Sequence, residues 1–137
     1  MKILLATDGS PAALNAVRHA LSLRAQGLEA SFVLVNVQAP ASLYEVVTAH
    51  DADVIRQVRS DAGADLLAPA EAALQRAGAE FESEVAGGDA GHVIRELAEI
   101  YGCDAVVLGA TDGVGSVAQD VLDHCPLPVT LVRLPEE

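Results

Sequence analysis

Aromatic residues are nearly missing from this chain: two Tyr, two Phe and no Trp, 3% of 137 residues. Any core must therefore be aliphatic, and at 51% apolar there is enough material for one, which sets the chain apart from disordered sequences. Positive charge is scarce as well. Eight Lys and Arg stand against twenty Asp and Glu, for a net charge of −12. Phosphates would be repelled, which argues against nucleic acid and against an anionic membrane surface; by itself the imbalance mainly means solubility. Cys103 and Cys125 are too few and too far apart for a metal cluster, and both read as core thiols. His19, His50, His92 and His124 share no metal spacing and read as solvated or as local helix-end partners. No apolar stretch reaches transmembrane length, and the run Ile3-Leu4-Leu5 breaks at Thr7-Asp8, unlike a signal peptide. The cytoplasm is the expected compartment, and residues 1–137 are expected to form one domain.

Five short apolar runs are present: Lys2–Ala6, Ser31–Val37, Glu80–Val85, Ala105–Leu108 and Val129–Arg133. The second, fourth and fifth are Val- and Leu-rich with little alternation, as in parallel strands covered on both faces. Glu80–Val85 alternates and suits an exposed part of a sheet. Helical patterns lie between the runs. Pro11–Arg24 sets Leu14, Val17 and Leu21 on one face, with Ser10 as N-cap, Pro11 at the first turn and Gly27 as terminator. Gly91–Tyr101 groups Val93, Ile94, Leu97 and Ile100 behind Asp89 as cap. A long helix is expected from about Asp53, carrying Val54, Val58, Leu66, Leu67, Ala70 and Leu74; Ala41–Asp51 is ambiguous. Strand–helix alternation predicts right-handed βαβ units and a doubly wound α/β sheet.

Ligands of such sheets bind beyond the carboxyl ends of the strands. Those ends carry Asp8, the Val37–Gln38 turn, Gly87-Gly88-Asp89 and the loop Gly109–Ser116. In that loop Ser116 is placed to cap a short helix with Val117, Val121 and Leu122 on one face. Gly113 and Gly115 serve either a tight turn with positive φ or close approach of a phosphate to backbone N–H groups. Asp8 has a local alternative too, as acceptor for the backbone where the first helix begins. No nucleophile–base–orienter set, no metalloprotease helix motif and no P-loop lysine is visible, so an enzyme is not the expected reading.

The segments KILLATDGSPAALNAV, LVNV, CDAVVLGAT and GSVAQDVLDHCPLPVTLVR together resemble the universal stress protein family, in order and over nearly the whole chain. The resemblance implies an adenine nucleotide alpha hydrolase-like fold: five parallel strands in the order 3-2-1-4-5 with helices on both faces. It also implies an adenine-nucleotide site in which Asp8 faces the adenosine end and the Val37 backbone bonds the adenine. Gly109 would then let the phosphates approach, and Gly115, Ser116 and Val117 would hold phosphate. ATP or AMP, with a divalent cation, are the ligands it brings into question. It further implies a homodimer paired antiparallel through the last strand, Val129–Arg133, an apolar edge without Lys or internal Pro.

The chain departs from the family's ATP pattern, G-x2-G-x9-G-[ST]. Gly109 can start it and Gly115-Ser116 can end it, but the interval is several residues too short, and Asp112 stands where the second glycine belongs. No Lys or Arg occurs from Glu96 to Val132. A carboxylate a few ångströms from a phosphate costs on the order of 1 kcal/mol or more near a surface. The departures favour a regulatory, stress-response protein acting through dimerisation and protein interaction without strong ATP dependence. The alternative is an adenine-nucleotide sensor or slow ATPase on the same fold.

Overall fold

Strands and helices alternate along the computed structural model, which describes residues 1–39 and 52–134. They are β1 (Lys2–Ala6), α1 (Pro11–Ala25), β2 (Ser31–Gln38), α2 (Ala52–Arg76), β3 (Phe81–Gly87), α3 (Ala90–Ile100), β4 (Ala105–Ala110), α4 (Ser116–His124) and β5 (Val129–Arg133). The sheet is five-stranded and parallel, in the order β3-β2-β1-β4-β5. That is the architecture the alternation and the resemblance predicted. The ambiguous stretch Ala41–Asp51 and His50 lie outside the described residues, as do the side chains of Val54 and Val58.

The inner strands lack polar alternation because both of their faces are buried. Leu4, Val33, Val35, Val106 and Leu108 pack beneath α3 and α4 with Val93, Ile94, Leu97 and Val121. Ile3, Leu5, Phe32, Leu34 and Val107 form the opposite face with Val17, Leu67, Ala70 and Leu74 of α1 and α2. β3 is an edge, with Glu82 and Ser83 exposed, as its alternating sequence suggested. β5 is the other edge.

Three expectations about helix faces are corrected. α1 buries Ala12, Ala13, Ala16, Val17 and Ala20, whereas Leu14 and Leu21 are only half-buried. Small residues let this helix lie close to the sheet: a Cβ on Gly109 of β4 would collide with the Ala12 carbonyl and come within 2.9 Å of Ala13 N. Ile100, at the last turn of α3, is 68% exposed. On α4 the buried residues are Ala118 and Val121, while Val117 and Leu122 face outward.

Candidate functional site

α1, α3 and α4 all begin at the carboxyl edge of the sheet, so three positive dipole ends converge there. A cavity of about 340 Å³ lies between them. Its floor is the upper rim of the core: Ala6, Val37, Ile94, Leu108 and Ala118. Its polar wall is Thr7, Asp8, Ser10 and Ser116, and Gly109, Gly115 and Val117 complete one side. All six residues singled out from the sequence, Asp8, Val37, Gly109, Gly115, Ser116 and Val117, line this one cavity.

The β1–α1 turn is fixed from below. Buried Asn36 donates from Nδ2 to the Thr7 carbonyl at 2.8 Å, and Gln38 Nε2 donates to Asn36 Oδ1 at 2.6 Å. Thr7 N–H donates to the Val35 carbonyl, and Thr7 Oγ1 accepts from Gly9 N–H at 3.1 Å. Gly9 has φ +83°, a conformation that L side chains rarely adopt, so the turn favours glycine there. Asp8 Oδ1 accepts from Ser10 N–H at 2.9 Å. The local reading of Asp8 as a backbone acceptor is thus realised while the residue still lines the cavity.

The three helix starts differ. Ser10 Oγ accepts from Ala13 N–H at 3.2 Å and caps α1. Asp89 Oδ2 accepts from His92 N–H at 3.2 Å and caps α3. α4 has Gly115 at its N-cap and no side-chain cap bond. The expectation that Ser116 caps this helix is therefore corrected: Ser116 is its first helical residue, and the chain takes the extended cap conformation one residue earlier, at Gly115 (φ −67°, ψ 168°). Neither Gly113 nor Gly115 has a positive φ, and a Cβ on either would meet open space. The leading N–H groups of α4 belong to residues that line the cavity.

Among the described residues, Asp8 is the charged group in the wall, and no Lys, Arg or His lines the cavity. Asp112 is exposed and is not among the residues that line the cavity. Thr7, Ser10, Ala90, Ile94, Leu108 and Ala118 were not foreseen as lining residues. Ser10 and Ala90 sit at helix starts already placed at this edge, Thr7 is a buried polar residue of the β1–α1 turn, and Ile94, Leu108 and Ala118 are core positions that surface in the floor.

A family model described as the universal stress protein family matches residues 1–133. The chain belongs to the universal stress protein family. This universal stress protein is 25% identical to one from Methanocaldococcus jannaschii over 99% of its own length and 84% of that relative. A family member from Burkholderia pseudomallei has a similar structure, with a TM-score of 0.77 at 26% identity, covering 96% of this chain and 94% of that one. A family protein from Arabidopsis thaliana, solved with AMP bound, has the same fold, with a TM-score of 0.75 at 20% identity, covering 97% and 91%. Among the described residues no helix is long and apolar enough to cross a membrane, and no group of three His, Cys, Asp or Glu is placed to hold a metal ion.

Proposed function

We propose that this stress-response protein works as one cytoplasmic domain that dimerises through β5, acts through protein interaction, and seats at most a small adenosine ligand of the AMP class. The observation that carries the ligand reading is the uncapped start of α4 in a cavity that no cationic side chain lines among the described residues. An apolar floor suits a flat heteroaromatic ring. Free N–H groups and the dipole suit one phosphate. A triphosphate brings more negative charge, and among the described residues it would meet Asp8 and no Lys or Arg. A divalent cation beside Asp8 would offset part of that charge. The AMP bound by the Arabidopsis protein is in keeping with this reading.

The dimer reading rests on the free side of β5. Val106 N–H donates to the Pro128 carbonyl, and Leu134 N–H to the Ala110 carbonyl. In a parallel ladder that alternation turns the N–H groups of Val129, Leu131 and Arg133 outward. Calorimetric titration with AMP and with ATP–Mg²⁺ tests the ligand reading. AMP is expected to bind more tightly than ATP–Mg²⁺. Micromolar affinity for ATP would install the nucleotide-sensor alternative instead.

A further inference from the structure

The two edges of the sheet differ in charge. β5 carries no acidic residue, whereas β3 and the residue before it read Glu80-Phe81-Glu82-Ser83-Glu84-Val85, and no Lys or Arg occurs from Ala77 to Ile94. β2 bonds β3 along one side. Phe32 N–H donates to the Glu80 carbonyl and Gly88 N–H to the Gln38 carbonyl, both at 3.0 Å, with Phe32 paired to Phe81 and Gln38 to Gly87. In a parallel ladder that alternation turns the N–H and C=O groups of Phe81, Ser83, Val85 and Gly87 away from β2. Among the described residues no strand pairs with them. Lys and Pro, two residues that commonly blunt an edge, do not occur in β3. Its side chains divide by face. Phe81 and Val85 are half-buried on the α2 side, where a Cβ on Gly63 of α2 would collide with Val85, and Ser83 Oγ donates to Glu71 Oε2 at 3.0 Å. Glu82 and Glu84 lie on the other face, about 6.6 Å apart along the strand, and exposed Glu80 continues their row.

Resting on the protein-interaction reading above, we propose that the outer side of β3 is a docking edge for an extended basic segment of another protein, which adds as a strand with Lys or Arg at alternate positions beside Glu80, Glu82 and Glu84. The outward N–H and C=O groups supply affinity for any extended chain, and the row of carboxylates supplies the choice among chains. A second copy of this protein is disfavoured by that row. Paired antiparallel about Ser83, it would set Glu82 of each chain against Glu84 of the other, and like charges directly opposite repel. A basic residue at the same place attracts instead. The residues between the basic ones then fall on the α2 side, beside Phe81 and Val85, so the fitting segment alternates basic with apolar. β5 lacks such carboxylates and suits a second copy, so the two edges select different partners.

The test titrates the full-length protein, at physiological salt, against a short fluorescent peptide alternating lysine with valine. The control is the same peptide N-methylated at alternate amides, which keeps its charge but removes its strand-pairing donors. The unmodified peptide should bind, and the methylated one should bind about tenfold more weakly or worse, as the loss of one or two net hydrogen bonds gives. Ser83→Pro bulges the open side without removing a donor to β2 and should weaken the peptide by a similar factor. Glu82→Lys replaces attraction with repulsion at an exposed position and should weaken it about fivefold. Should Ser83→Pro fail to fold, Glu82→Lys and the methylated peptide decide. Sedimentation of the same proteins reports the β5 dimer separately, so failure of this edge and failure of that interface are told apart. No binding of the unmodified peptide, equal binding of the methylated one, or unchanged binding by the folded variants would each overturn the proposal.

Discussion

α1 and α3 begin at the same sheet edge as α4, yet they end their exposed N–H groups differently. Ser10 and Asp89 each turn a side-chain oxygen back onto their own helix. Gly115 offers none. The first two starts are complete within the chain. The third leaves its donors to water or to a ligand in a cavity that its own residues line. Of the three helix starts described at the cleft, α4 is the one that offers uncapped N–H groups. A Gly-rich loop at the end of a strand is thus informative less through flexibility than through the side chain it withholds.

The largest expected effect comes from confusing the two kinds of glycine in β4 and its loop. Gly109→Ala drives a methyl group into the backbone of α1 at Ala12 and should cost about 1–3 kcal/mol, as overpacking does. Gly115→Ala meets open space and should change stability by a few tenths of a kcal/mol. Urea melts of the two variants check this, and equal losses would erase the distinction. Next in size is removal of a working cap. Asp89→Ala should destabilise by about 1 kcal/mol, and Ser10→Ala by a similar amount, whereas Ser116→Ala should leave stability nearly unchanged because its hydroxyl caps nothing.

At β5 the comparison extends to assembly. Leu131→Pro removes an outward N–H from the middle of the strand and should give monomers in sedimentation while the fold is retained. Because Leu131 also packs on the core, the variant should melt somewhat lower. Wild-type protein that sediments as a monomer at tens of micromolar would contradict the dimer. The smallest effect is expected from Asp112→Arg. That side chain is exposed and outside the cavity wall, so the substitution should strengthen AMP binding less than twofold at physiological salt.

Much of this was legible in the sequence because single residues carry it. Ser10-Pro11 and Asp89 stand at the helix starts they mark, and two of the three Val-rich runs, β2 and β4, are buried strands; the third, β5, read as covered on both faces, is a half-exposed edge strand. The strand order came from the resemblance, since periodicity carries no information about neighbours. The cap of α4 was misplaced by one residue because Ser and Gly both suit the N-cap, and only the backbone angles decide. The alanine face of α1 was missed because a hydrophobic pattern gives weight to Leu14 and Leu21, whereas close packing on Gly109 calls for small side chains. The cavity floor was missed for a related reason. Ile94 and Leu108 read as core, and they are core; their upper ends form the floor only because the surrounding helix starts stand apart.

The central claim is that the uncapped start of α4 is the seat for an anion. Gly115→Asp tests it most directly, because it places a carboxylate at an N-cap whose extended backbone already suits one and whose surroundings are open. Thermal melts of wild type and variant, each with and without AMP, give the answer. AMP at a hundredfold excess over its dissociation constant should stabilise wild type by about 2.7 kcal/mol. The variant alone should be more stable by a few tenths of a kcal/mol and should no longer respond to AMP. An AMP response of equal size in both proteins would contradict the account.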